Sequence, residues 1–155
     1  MSIFTTKLHS ARKSTLAQIK KQEAFNAKLR AHAPDLKQYF EMFPPSVRKN
    51  VSVSAEAFDE TVRFGVSLHQ LDSLKDKRLM RVLEKFADWE GASQDYTYGN
   101  QPNRDFYFTH QTPFGIRIKV AVYAYVKTDS PLCRVVVKGV TTKVVEEEIR
   151  EIVCA

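Results

Sequence analysis

An α+β domain is what this sequence predicts, on three observations. Residues 12–43 are rich in helix formers and carry apolar side chains at helical spacing. Residues 115–127 sort with the two-residue period of a β-strand, aliphatic side chains on one side and mostly cationic and tyrosine side chains on the other. The remaining short alternating runs are separated by clusters of Gly, Pro, Asn and Asp, which mark turns. Together they imply one domain over residues 1–155, with a mainly antiparallel sheet of about five to six strands and helices packed on one face. Two N-terminal helices, one middle helix and a C-terminal helix complete it. Residues 1–43 form a basic helical arm and residues 44–155 the α+β body.

The first helix takes its cap from Ser10 or Ser14 and ends near residues 31–33, because Pro34 cannot occupy a helix interior. Pro34 suits the first turn of a second helix, with Asp35 favourable at its positive end. Phe25, Leu29, His32, Leu36, Tyr39 and Phe43 are spaced 4-3-4-3-4, a seam that packs on the sheet or on a second copy of the chain. Pro44 and Pro45 close the helical region. Residues 51–58 and 61–68 then read as two strands around an Asp59-Glu60 turn, with Val62, Phe64, Val66 and Leu68 on one face. Ser73 caps the middle helix with Asp76 as its capping-box partner, Leu79, Leu83 and Phe86 face inward, and Gly91 stops it.

Short strands follow at 95–98 and 105–109, around the turn formers Gly99 to Asn103. Pro113-Phe114-Gly115 turns the chain into the central strand. There Ile116, Ile118, Val120, Val122, Ala124 and Val126 leave water, while Arg117, Lys119, Tyr123, Tyr125 and Lys127 face the other way. Residues 128–131 lead into a further strand at 132–140, expected as the hairpin partner of the central one. Val145, Ile149, Ile152 and Val153 favour an amphipathic helix at the end, with a strand as the alternative.

Charge is lopsided. The formal net charge is +6, and residues 1–40 hold eight basic side chains against two acidic, whereas the 16 basic and 16 acidic residues beyond them cancel. An excess so placed predicts an anionic partner, nucleic acid first or an acidic protein surface. The expected contacts are Arg12, Lys13, Lys20, Lys21, Lys28 and Arg30 on the arm. A sheet face of Arg117, Lys119, Tyr123 and Tyr125, extended by Arg134 and Lys138, would assist by stacking bases beside phosphate-binding cations. The alternative reading is a protein–protein adaptor or inhibitor, or a homo-oligomer, docking through the helical seam or a sheet edge.

Catalysis has less support. There is no Gly-rich phosphate loop, no GxSxG elbow and no HExxH pair, so neither catalytic nor metal-ligating residues are assigned and no cofactor is expected. A constellation of His110, Asp105 and Tyr107 is the remaining enzymatic possibility. Cys133 and Cys154 are too few for a disulfide framework, which suggests a reducing, cytoplasmic setting. Residues 1–22 lack acids and mix basic with apolar residues, as transit peptides do, but they also read as a mature helix. The longest apolar run, Val120 to Val126, is far short of the roughly 20 residues of a membrane helix, so no membrane partner is expected.

Overall fold

Strand β5 (Arg117–Val126) sits at the centre of a mixed five-stranded sheet ordered β1-β2-β5-β4-β3. The structure, a computed structural model, describes residues 2–98, 101–127, 133–142 and 146–154, with backbone alone for 95–98, 101–102, 133–142 and 146–154. The chain runs α1 (Ile3–Ala31), α2 (Ala33–Glu41), α3 (Pro45–Arg48), β1 (Ser52–Glu56), β2 (Thr61–Leu71), α4 (Lys77–Lys85), β3 (Glu90–Tyr98), β4 (Gln101–Gln111), β5, β6 (Cys133–Thr142) and β7 (Glu146–Cys154). The α+β class holds, and the sheet is mixed rather than purely antiparallel.

The centre falls on β5 because that strand is apolar enough to be enclosed. All six residues of its aliphatic set, Ile116 through Val126, are at most 3% exposed, and Ala121 on the opposite face is also 3% exposed. A strand covered by neighbours on both edges suits such a run. β4 pairs with it antiparallel, setting Phe108 across from Val120 and Phe106 across from Val122. β2 pairs with it parallel, setting Val62, Phe64, Val66 and Leu68 beside Ile118, Val120, Val122 and Ala124. One continuous apolar face results.

Helices cover that face and leave the other. Phe25 of α1, Phe43 after α2, Val47 of α3, and Leu79 and Val82 of α4 join the sheet residues in one buried cluster. Phe43 lies 6.2 Å from Phe64 on the sheet and 4.9 Å from Phe86 at the end of α4, ring centre to ring centre. His32 stacks on Phe114 at 4.2 Å, and Tyr39 meets Trp89 edge-on at 6.0 Å. Each fully buried Val, Leu, Ile or Phe side chain contributes about 1.5–3 kcal/mol of transfer free energy. The helix layer is therefore held by packing and needs little help from its few ion pairs.

Several boundaries differ from expectation. α1 starts at Ile3, well before Ser10, because Ser2 supplies the cap: its Oγ accepts the Thr5 amide at 3.3 Å. The cap of α4 is Asp76, whose Oδ1 accepts the Arg78 amide at 2.8 Å, while Ser73 Oγ accepts from Lys75 in the turn before. α4 stops at Phe86, and Gly91 lies within β3, where a Cβ would come 3.1 Å from the Phe108 ring. Gly115 is needed in its turn, since its φ of 79° is a left-handed conformation that side chains disfavour.

The C-terminal region departs most. β6 pairs antiparallel with β7 as a separate two-stranded sheet, so it is not the hairpin partner of β5. Residues 146–154 form that partner strand in place of the expected helix. Ile149, Ile152 and Val153 are β-branched, which favours a strand, and Val135, Val136 and Val137 of β6 need a partner for their backbone groups. The turn expected at 128–131 lies outside the described residues. Among the described residues no helix is long and apolar enough to cross a membrane.

Candidate nucleic-acid interface

Two surfaces carry the residues singled out by the sequence, and they lie apart. The first is the front of α1. Ala, Lys, Gln, Leu and Arg dominate it, all strong helix formers. Residues 2–24 are exposed at every position, and the first buried side chain is Phe25. At 1.5 Å per residue this solvated stretch extends about 33 Å. It contains no acid before Glu23. The arm of residues 1–43 thus divides into a solvated front half and a packed rear half.

Within that front half Lys7, Arg12, Lys13 and Lys20 have no ion-pair partner among the described residues, nor does Arg30 near the helix end. The cations nearer the body are engaged. Lys21 Nζ donates to the Phe58 carbonyl at 2.7 Å and stands 4.8 Å above the Phe58 ring centre. Lys28 Nζ pairs with Glu60 at 2.9 Å and reaches the Gly115 carbonyl at 3.4 Å. Both partners of the Lys28–Glu60 pair are partly exposed, so it contributes under about 1 kcal/mol, and its main effect is to root the helix at the β1–β2 and β4–β5 turns. Alongside the cations Ile3, Phe4, Leu8, Leu16 and Ile19 are 48–78% exposed.

The second surface is the sheet face that the helices leave. Here Tyr123 and Tyr125 are half-buried, Tyr107 is exposed, and His69 stacks on Tyr125 at 4.6 Å. Tyr107 meets Tyr123 edge-on at 6.4 Å. The helices do not cover the tyrosines. Of the cations expected beside them, Lys119 is neutralised, its Nζ lying 3.4 Å from Asp59, and Arg63 on the same face lies 3.6 Å from Glu56. Hydrogen bonding from Thr61, then from Lys119 together with its charge, holds the Asp59 carboxyl below the usual carboxylate range. Arg117 is exposed at the end of β5 nearest the arm. Arg134 and Lys138 belong to β6, which does not pair with β5, and their side chains lie outside the described residues.

The enzymatic constellation does not assemble. His110 points to the core face, where it stacks on Trp89 at 4.8 Å and its Nε2 is 3.5 Å from the Tyr39 hydroxyl. Asp105 and Tyr107 stand on the opposite face, by the alternation of β4. The sheet separates them. No cluster of His, Cys, Asp and Glu fit to hold a metal occurs among the described residues.

Sequence reasoning named Asp105 but not Asn103, its neighbour on the same face of β4. Both sit 5% exposed on the tyrosine face, across from Tyr125 and Tyr123 respectively. The parity of β4 carried the signal, since Asn103, Asp105 and Tyr107 alternate with the core-facing Phe106 and Phe108. The Asp105 carboxyl titrates above the usual range, chiefly because burial removes it from water, with the Tyr107 hydrogen bond at 2.9 Å opposing. A carboxyl whose pKa is raised on folding costs nothing below its unfolded value near 3.8 and destabilises progressively as pH rises through the folded value. Asp105→Asn is expected to remove that loss and raise stability at pH 7, with little change at pH 3. Urea unfolding at the two pH values checks this; an equal effect at both would mean that the carboxylate charge is not the cause.

Comparisons with protein-family models, with curated proteins and with solved structures find no match to this chain.

Proposed function

We propose that the protein binds a polyanion, nucleic acid first, through the solvated front of α1. The observation that carries this reading is the set Lys7, Arg12, Lys13 and Lys20, spread along an exposed helix without a carboxylate before Glu23. Cations free of partners are those able to release counterions from a phosphate backbone, and that release is the main source of sequence-independent affinity. The test is an anisotropy titration of labelled single-stranded RNA and DNA between 50 and 200 mM salt. Affinity should fall steeply with salt, with a slope of about 0.7 per phosphate contacted. Absence of binding at 50 mM would overturn the reading.

A second reading is favoured by a separate observation. Ile3, Phe4, Leu8, Leu16 and Ile19 stay exposed on the same helix, which suits docking to another protein or to a second copy of the chain. Association through these side chains should survive high salt, since apolar contacts are not screened. Mass measurement at 50 mM and 1 M salt separates the two readings.

A further inference from the structure

Strand β4 offers three hydrogen-bonding positions that the fold leaves empty. The side chains of Asn103 and Asp105 rise from the tyrosine face, each 5% exposed. Asn103 Oδ1 and Nδ2 and Asp105 Oδ1 are buried with no hydrogen-bond partner. Burying polar groups unpaired is costly, and proteins seldom tolerate several adjacent ones without a use. The other carboxylate oxygen of Asp105 accepts the Tyr107 hydroxyl at 2.9 Å, which orients the group. The empty set is therefore two acceptor oxygens and one amide nitrogen, whose two N–H groups point apart so that one of them lies alongside Asn103 Oδ1 for a shared base edge.

That inventory selects among the bases. The Watson–Crick edge of guanine presents two N–H donors and one carbonyl acceptor, its complement. Adenine presents one donor and one acceptor and would leave Asp105 Oδ1 empty. Cytosine and uracil each present two acceptors and one donor, which would set an acceptor against an acceptor. Sequence-reading proteins take unpaired bases on sheets in this manner, with edges hydrogen-bonded and faces stacked on aromatic rings. Tyr125 and Tyr123 stand directly across from Asn103 and Asp105 in the sheet.

We propose that Asn103 and Asp105 read the Watson–Crick edge of a guanine in single-stranded nucleic acid, flanked by Tyr123 and Tyr125. The inference rests on the polyanion reading above and gives that partner a base preference. The empty atoms lie beneath the surface, so entry requires the half-exposed rings of Tyr123 and Tyr125 to turn aside. Ring rotation of partly exposed side chains is fast compared with binding.

The test uses the full chain and a uridine 12-mer in which two central positions are U, G, A or C, measured by anisotropy at 0.1 M salt. Guanosine is expected to bind about tenfold tighter than the others. Asp105→Asn and Asn103→Ala should each shrink that preference to about twofold or less. Guanosine and adenosine monophosphate, followed by NMR on the tyrosine ring resonances, probe the site without the arm; only the guanosine nucleotide should shift them. Equal affinity for the four oligomers with no nucleotide-specific shift overturns this inference and leaves the polyanion reading standing. That result would assign the empty positions to a buried structural water. Failure of every oligomer to bind, with the guanosine shift retained, would sink the polyanion reading and leave the site.

Discussion

Replacing Lys7, Arg12, Lys13 and Lys20 together with glutamine is expected to lower affinity for single-stranded RNA by about 10²–10³-fold at 0.1 M salt. Each phosphate contact adds about 0.7 to the salt slope, so losing four should flatten it by about three. If the variant and parent converge near 1 M, where electrostatic attraction is screened, that flattening gives the stated loss a decade lower in salt. Glutamine propagates a helix nearly as well as lysine or arginine, and none of the four makes an ion pair among the described residues. Stability should therefore change by less than about 0.5 kcal/mol. The matching control replaces Lys75, Lys77, Arg81 and Lys85 with glutamine. Those exposed cations belong to α4 and the turn before it, near Asp72, Asp76, Glu84 and Asp88. This control removes the same net charge from a balanced region. Equal losses in both variants would assign the attraction to the net charge of the molecule and not to the arm.

The parts of the fold that were legible are those whose signal is local. Alternation along 116–126 named six residues, and each proved buried. Pro34 placed the break between α1 and α2, where the helices divide at His32. What escaped depends on pairings between segments distant in the chain. The parallel joining of β2 to β5 is decided by how two apolar faces complete one layer, and neither strand alone encodes it. β6 reads as a partner for β5 by proximity, but β4 and β2 already fill both edges of β5. The last strand failed for another reason: Val145, Ile149, Ile152 and Val153 fit a helical spacing over a short window, and short windows do not separate the two periods. At the candidate site, the alternation of β5 placed Tyr123 and Tyr125 together on one face, while the neutralisation of Lys119 by Asp59 and of Arg63 by Glu56 needed the turn and hairpin geometry. The empty positions of Asn103 and Asp105 are invisible without coordinates, because an unpaired atom is defined by its neighbours.

Two phenylalanines from the N-terminal helical region should respond to truncation with very different losses. Phe43→Ala is expected to destabilise the protein by about 3–5 kcal/mol and lower Tm by about 6–20 °C. Phe43 is 0% exposed and joins the end of α2 to the sheet through Phe64 and to α4 through Phe86. Its removal leaves a cavity that these rings cannot collapse into, since Phe86 is also held by Trp89 at 5.1 Å and by Phe108 at 5.8 Å. Phe4→Ala should cost less than about 0.5 kcal/mol, because Phe4 is 73% exposed in the solvated part of α1. Total stabilities of domains run about 5–15 kcal/mol, so the first change consumes a large share and the second almost none. Thermal and urea unfolding of the two variants measure the contrast directly. A loss for Phe4→Ala approaching that of Phe43→Ala, and growing with protein concentration, would place the arm in contact with another copy of the chain. The cations interspersed among its exposed apolar residues would then be bounded by a protein surface, and those apolar residues, not the basic ones, would govern what α1 binds.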